Sequence, residues 1–166
     1  PAADGSRAHA VELVSHLQYY RHAAEAFAAQ GWLHRYLTMP FRTRALPVDA
    51  VGFGAVARHV NETRVFPDLA GVPSARLWAG QVVDRVVRGV LEERSSLELP
   101  LRSLAWDLDA SWRVRADLRG ATPPRVLHLS SGIAQHSAAH GRRAGAMVVI
   151  DVRTPHHRGR LADVAP

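Results

Sequence analysis

The N-terminal part of the chain alternates short apolar runs with an amphipathic stretch. The run "AVELVS" predicts a first strand over residues 10–15, and "WLHRYLT" predicts a second strand that Pro40 ends. Between them, apolar residues recur at the helical spacing i, i+3, i+4 and i+7: Tyr20, Ala23, Ala24 and Phe27. Gly31 lies where the C-terminal cap of this helix belongs, so the pattern predicts strand, helix and strand in succession.

Two long amphipathic stretches dominate the middle of the chain. Before them, a short helix is predicted near residues 54–59, and "NETRVF", which Pro67 closes, predicts a third strand over residues 61–66. "PSARLWAGQVVDRVVRGVLEER" begins with the helix-start residues Pro73 and Ser74. It carries an apolar stripe that we expect to pack on the sheet or on a neighbouring helix: Val82, Val83, Val86, Val87, Val90 and Leu91. "LPLRSLAWDLDASWRVRADLRG" repeats the pattern and predicts another helix that ends at Gly120.

The C-terminal part predicts a strand, a helix and a strand in close succession. "RVLHLSSG" predicts a fourth strand, "IAQHSAAHGRRAG" a short helix capped by Gly145, and "AMVVIDV" a fifth strand whose apolar run suits burial on both faces. A unit of this kind, of about 30 residues, pairs its strands in parallel. The sequence therefore predicts an α/β fold: a Rossmann-like parallel sheet flanked by helices, in a single domain over residues 1–166.

Charge is distributed unevenly along the chain. All 21 basic residues are arginine, and residues 1–112 hold 12 arginines and 12 acids. Residues 113–166 hold 9 arginines and 3 acids, so the whole formal charge of +6 lies in the last third. This asymmetry favours an anionic partner for the C-terminal part, such as phosphate, an acidic lipid surface or nucleic acid.

Composition also bears on compartment and on chemistry. The absence of cysteine excludes disulfides, thiolate metal sites and a cysteine nucleophile. No apolar run approaches the roughly 20 residues of a membrane span, and the first residues lack the pattern of a signal peptide. These features predict a cytoplasmic protein.

Polar residues follow several predicted strands, where an open parallel sheet binds its ligands. The candidates for substrate binding are His16, Ser130, Ser131, Gly132, Arg153, Thr154 and His157. The turn that contains Ser131 can hold a phosphate or a sugar hydroxyl, or it can cap the next helix, and both interpretations stay open. His156 is the candidate for catalysis, because a loop histidine after a buried strand can act as a base toward a bound hydroxyl.

Several common sites are not indicated. The chain has no glycine-rich dinucleotide fingerprint, no Walker-type motif and no G-x-S-x-G elbow. His136 and His140 have helical i, i+4 spacing but lack the Glu and the third ligand of a zinc motif, so we predict a solvated helix face and no metal site. Nucleic-acid binding is not expected, because the arginines are scattered and few aromatic residues lie among them.

Two stretches resemble a known family. "LSSGIAQHSAAHGRRAGAMVVIDVRTPHH" and "YYRHAAEAFAAQGWLHRYLTMP" are similar, in this order, to segments of family 4-like glycosyltransferases of the GT-B architecture. The resemblance implies the N-terminal, acceptor-binding half of a two-domain enzyme. It also implies acceptor contact or turn geometry for Ser131 and Gly132, and matches His156 and Thr154 to the histidine and the small hydroxyl residue after the last strand. The family's E-x7-E motif belongs to the donor-binding domain and does not occur in these residues, so we expect that domain to lie outside this chain.

The function that the resemblance implies is transfer of a sugar from a nucleotide-sugar donor, a co-substrate rather than a cofactor, to a sugar or a lipid-linked acceptor. A lipid-linked acceptor would bring the protein into peripheral contact with an anionic membrane, at the inner membrane. The alternative is a non-catalytic Rossmann-like module that binds a phosphorylated ligand or partner.

Overall fold

The fold is a parallel α/β sheet with helices on both faces. The computed structural model describes residues 10–15, 20–46, 54–90 and 97–152. The strands are β1 Val11–Ser15, β2 Leu33–Thr38, β3 Ser74–Arg76, β4 Val126–Ser130 and β5 Met147–Asp151. The helices are α1 Arg21–Ala29, α2 Gly54–Arg64, α3 Trp78–Val90, α4 Glu98–Asp117 and α5 Gln135–Arg143.

All five strands pair in parallel in the order β3-β2-β1-β4-β5. Parallel pairing requires each connection to cross over a face of the sheet, and the helices supply these crossovers. The arrangement confirms the predicted Rossmann-like α/β class in one small domain.

Neighbouring residues of β1 belong to the two hydrophobic cores. Val14 packs in the core that α4 and α5 cover, together with Trp106 and Leu129. Leu13 packs in the core that α1 covers, together with Tyr36. This division follows from the strand geometry, because successive side chains point to opposite faces of a sheet.

Glycine ends two of the helices, as the sequence predicted. Gly31 follows α1 with φ 67°, and Gly145 follows α5 with φ 77°. In this left-handed conformation glycine costs less than any other residue. The chain turns sharply at both positions, since Trp32 N–H donates to Phe27 O and Ala146 N–H donates to Gly141 O.

The predicted third strand is wrong. Residues 61–64 lie in α2, and the third strand is Ser74–Arg76, which the sequence had assigned to the start of a helix. Backbone pairing with β2 holds this short strand, through Tyr36 N–H to Pro73 O and Leu77 N–H to Thr38 O. Three residues are too few for a hydrophobic period to be visible in the sequence.

Two burial predictions also fail. β5 is not buried on both faces: it lies at the edge of the sheet that the described residues form, and Val149 and Ile150 are 41% and 43% exposed. The valine stripe of α3 is largely exposed as well, and the buried residues of that helix are Gly80 and Asp84. Both positions face α4: Gly80 contacts Trp106, and Asp84 bonds to an arginine of α4.

None of the described helices is long and apolar enough to cross a membrane.

A pair of carboxyl groups is buried beside β1. Glu12 is fully buried, and Asp117 at the end of α4 accepts a hydrogen bond from Arg35 Nη1 at 2.8 Å. Burial, and then the neighbouring Asp117, raise the pKa of Glu12 to about 9, while Arg35 opposes the rise. Within the described residues, neither oxygen of Glu12 accepts a hydrogen bond from an N–H or hydroxyl donor. A proton held between the two carboxyl groups accounts for this arrangement, because one acid then donates to the other.

Candidate functional site

The candidate site lies at the carboxyl edge of the sheet, where β1 and β4 are neighbours. The chain leaves these strands in opposite directions, because β2 and β3 lie on one side and β5 on the other. In open parallel sheets, a crevice for the ligand is expected at such a reversal of strand order. Val14 pairs with Leu129, so Ser15 and Ser130 end the two strands side by side.

β4 ends in a polar turn that is partly open to solvent. Ser130 is buried, whereas Ser131 and Gly132 are exposed. They begin a 3-10 turn, Ser131–Ile133, whose last residue is fully buried. Ile133 therefore anchors the turn in the core, and Ser131 and Gly132 are the members of the turn that a ligand can reach.

The serines of this turn do not cap α5. The N-cap position is Ala134, and no side chain at that position makes a capping bond. The donors at the start of the helix are satisfied from α4 instead: Asp107 Oδ2 accepts the His136 N–H at 2.8 Å, and Oδ1 lies 3.3 Å from Ser137 Oγ. The interpretation that this turn caps α5 is therefore wrong; Ser130 holds the N-cap position of the 3-10 turn, but its side chain makes no capping bond.

Asp107 also orients the ring of His136. Oδ2 of Asp107 lies 2.8 Å from Nδ1, and the carboxylate is buried, whereas the histidine side chain is 41% exposed. A carboxylate only accepts hydrogen bonds, so Nδ1 carries the proton in this contact, and in the neutral ring Nε2 is then free of one. A histidine held in this way by a carboxylate has the arrangement of a general base.

α4 fixes the starts of both neighbouring helices. Asp109 Oδ2 accepts the Gly80 N–H of α3 at 2.9 Å, two residues after Asp107 has bonded to α5. Because α3 and α5 each follow a strand, both starts lie at the carboxyl edge. Two aspartates of one helix therefore set the positions of two helix starts at the carboxyl edge of the sheet.

A tyrosine joins α1 to the end of β5. The hydroxyl of Tyr20 donates to Asp151 Oδ2 at 2.7 Å, and its ring meets that of His128 edge-on at 6.0 Å between centroids. Tyr20 is almost fully buried. Asp151 is thus engaged in holding the first turn of α1 over β4 and β5.

The structure places three of the predicted site residues together, namely Ser130, Ser131 and Gly132. The other five lie outside the described residues: His16, Arg153, Thr154, His156 and His157. Their assignment stays a prediction.

Asp107 was not among the predicted site residues, and His136 was predicted to lie on a solvated helix face. No local pattern could have joined these two residues, because they lie 29 positions apart and on different helices. His140, the other member of the i, i+4 pair, does not share the aspartate. Among the described residues, no group of three potential ligands could hold a metal ion.

Comparison of the chain with protein-family models, with curated proteins and with solved structures found no match.

Proposed function

We propose that this chain is the acceptor-binding domain of a glycosyltransferase that uses a nucleotide-sugar donor. The observation that carries the proposal is the carboxyl edge of β4, where the exposed Ser131 and Gly132 are followed by a histidine that Asp107 orients. The two stretches that resemble family 4-like glycosyltransferases fall on α1 with β2 and on β4, α5 and β5, which are continuous parts of this fold.

In the proposed reaction, the oxygen of an acceptor hydroxyl attacks the anomeric carbon of the donor. The bond from that carbon to the phosphate oxygen breaks, and the nucleotide diphosphate leaves with the electron pair. The hydroxyl proton passes to a base. His156 is the histidine that the resemblance assigns to this edge, and His136 is a second candidate, because in its neutral form Nε2 can accept a proton.

The main role that we assign to the turn after β4 is to position the acceptor. Ser131 and the backbone of the turn can bond to sugar hydroxyls, and holding a hydroxyl in line with the anomeric carbon removes much of the entropic barrier. These are roles for a rigid element, and the buried Ile133 and the Asp107 contacts provide rigidity at the turn.

Binding of sugars tests the proposal directly. Amide NMR spectra of the 166-residue chain, titrated with a panel of mono- and disaccharides, should change at residues 131–136. Ser131→Tyr should abolish these changes by filling the crevice. Ser74→Tyr is the matched control, because Ser74 is an exposed serine at the amino end of β3, on the opposite edge.

Two results would count against the proposal: absence of any saturable sugar binding, or equal loss of binding in both tyrosine variants. Binding of phosphorylated compounds without any sugar binding would favour the non-catalytic module. We also expect no sugar transfer by these 166 residues alone with UDP- and GDP-sugars, because the resemblance assigns the donor site to another domain. Measurable turnover would contradict that assignment.

A further inference from the structure

A cleft lined by four arginines lies at the carboxyl ends of β2 and β3. Its volume is about 330 Å³, and the arginines come from four different segments: Arg42, Arg64, Arg76 and Arg85. Clefts of this size hold small ligands. The cleft is next to the crevice between β1 and β4, because β2 is the neighbour of β1.

Backbone bonds hold two of the segments together. Arg42 N–H donates to Arg64 O, and Phe66 N–H donates to Arg42 O, both at 2.8 Å. Arg76 ends β3, and its guanidinium lies 5.4 Å above the ring centre of Phe41. Stacking of this kind restricts the side chain, so less entropy is lost when the guanidinium binds a ligand.

In the described part of the chain, no carboxylate is bonded to any of the four cleft arginines. Asp84 acts on Arg64 from nearby, but its oxygens bond to Arg88 at 3.2 Å and to Arg102 at 2.5 Å. Like charges gathered in one place destabilise a fold unless an anion joins them.

Burial and neighbouring charges both act on the guanidinium of Arg64. Burial lowers the pKa of its guanidinium, the neighbouring Arg85 and Arg88 lower it further, and Asp84 opposes them. The charged form of Arg64 is therefore disfavoured by burial first and by Arg85 second, and a bound anion would offset both effects.

One wall of the cleft is apolar. Trp78 and Val82, on the first turns of α3, line it and are 56% and 58% exposed. Gln81 lies between them and adds a hydrogen-bonding amide. A ligand that fits this wall has an organic part as well as a charged group, since a bare ion would leave Trp78 and Val82 in water.

We infer that this cleft binds the phosphate group of a small phosphate ester, with the organic part packed on Trp78 and Val82. Guanidinium groups bind phosphate through paired, charge-assisted hydrogen bonds. The phosphate can belong to a free sugar phosphate or to a lipid-linked one. That this ligand is the acceptor rests on the proposed function; the binding itself does not.

Calorimetric titration of the 166-residue chain tests the inference. The probes are inorganic phosphate, a hexose 1-phosphate and the unphosphorylated hexose. We expect saturable binding of both phosphates, with the hexose 1-phosphate tighter. Arg76→Gln and Arg85→Gln should each weaken binding about tenfold, the effect of losing one charged hydrogen bond. Both side chains are exposed, so these variants should fold, and Arg64→Gln extends the series.

The matched controls come from a second basic cleft, between α4 and α5. Arg115 and Arg119 line that cleft, near the amino edge of the sheet and opposite the proposed site. Arg115→Gln and Arg119→Gln remove the same charge and should leave phosphate binding unchanged. Equal weakening by both sets of variants, or a response that does not saturate, would overturn the inference.

Vesicles separate the two sources of the phosphate. Phosphatidylcholine vesicles with and without phosphatidic acid are sedimented with the protein. Retention that requires phosphatidic acid and Arg76 would support the site and place the phosphate on a lipid. Retention that Arg115→Gln abolishes and Arg76→Gln does not would contradict it. The Arg76→Gln variant also shows whether the two sites are separate. If it loses phosphate binding while sugars still change the NMR signals at Ser131, the phosphate site and the sugar site are independent. The phosphate inference and the proposed function can then fail separately.

Discussion

The carboxylate of Asp107 accepts hydrogen bonds from both the backbone N–H and the ring Nδ1–H of His136, each at 2.8 Å. One side chain of α4 thereby fixes the start of α5 and the orientation of the histidine beside the β4 turn. Asp107 therefore both stabilises the start of α5 and orients a candidate base, and experiments have to separate these two roles.

Substitutions at the two residues should affect stability very differently. Asp107→Ala leaves the N–H groups at the start of α5 without their acceptor, and we expect a loss of about 2–4 kcal/mol in the free energy of unfolding. His136→Gln keeps the backbone bond and should cost less than about 1 kcal/mol. Urea unfolding of both variants measures this. Equal losses would mean that the ring contact, rather than the helix cap, carries the stabilisation.

Close packing of α3 on α4 predicts opposite outcomes for two glycines of one helix. A Cβ added at Gly80 would lie 2.6 Å from Cε3 of Trp106, whereas one added at Gly89 meets nothing within 4 Å. Gly80→Ala should therefore destabilise the protein by about 1–3 kcal/mol. Gly89→Ala should stabilise it by up to about 1 kcal/mol through helix propensity. Thermal unfolding monitored by circular dichroism compares them, and a stable Gly80→Ala variant would contradict the contact.

The exposed edge position of β5 gives a third prediction. Val14 is fully buried in β1, while Val149 in β5 is 41% exposed. Val14→Ala should cost about 2–3 kcal/mol, since it removes two buried methyl groups and leaves a cavity. The same change at Val149 should cost under about 1 kcal/mol. Similar losses in urea unfolding would indicate that β5 is covered in solution.

The sequence predicted the helices and strands that are long enough to show a hydrophobic period or that end in a capping glycine. β1, α1, β2, β4, α5 and β5 each show an apolar period or a capping glycine, and together they establish the parallel class. β3 has three residues and depends on pairing with β2, so its identity is a tertiary property. The apolar run of β5 suggested burial, but burial depends on which strand lies at the edge, and strand order is not encoded in local period.

The same distinction applies to the sites. The polar turn after β4 could be predicted, because strand ends are local features. Asp107 and Asp109 look like the polar face of an amphipathic helix in sequence, and only packing of α4 between α3 and α5 makes them caps. The arginine cleft lies in residues 1–112, where the charges balance. Asp84, one of the acids of this part, bonds to Arg88 and Arg102, which do not line the cleft, so a balanced total charge concealed a local excess of positive charge.

The raised pKa of Glu12 makes stability depend on pH. In the folded protein its pKa is about 9, against 4.5 as the ordinary value, because of burial first and Asp117 second. Between these two values the folded state holds a proton that the unfolded state has released. The free energy of unfolding therefore falls as pH rises, with a slope for this group of up to about 1.4 kcal/mol per pH unit.

Glu12→Gln tests this dependence. The amide of glutamine is neutral at every pH and can still donate to Asp117, so the variant should lose the slope and become more stable than the original chain above neutral pH. Urea unfolding at about pH 5, 7 and 8.5 gives the difference between the two proteins, which should widen with pH. Glu62→Gln removes an exposed carboxyl of α2 and serves as the matched control. A constant difference across the three pH values would mean that Glu12 is ionised inside the fold, and that Arg35 rather than a shared proton balances the two carboxyl groups.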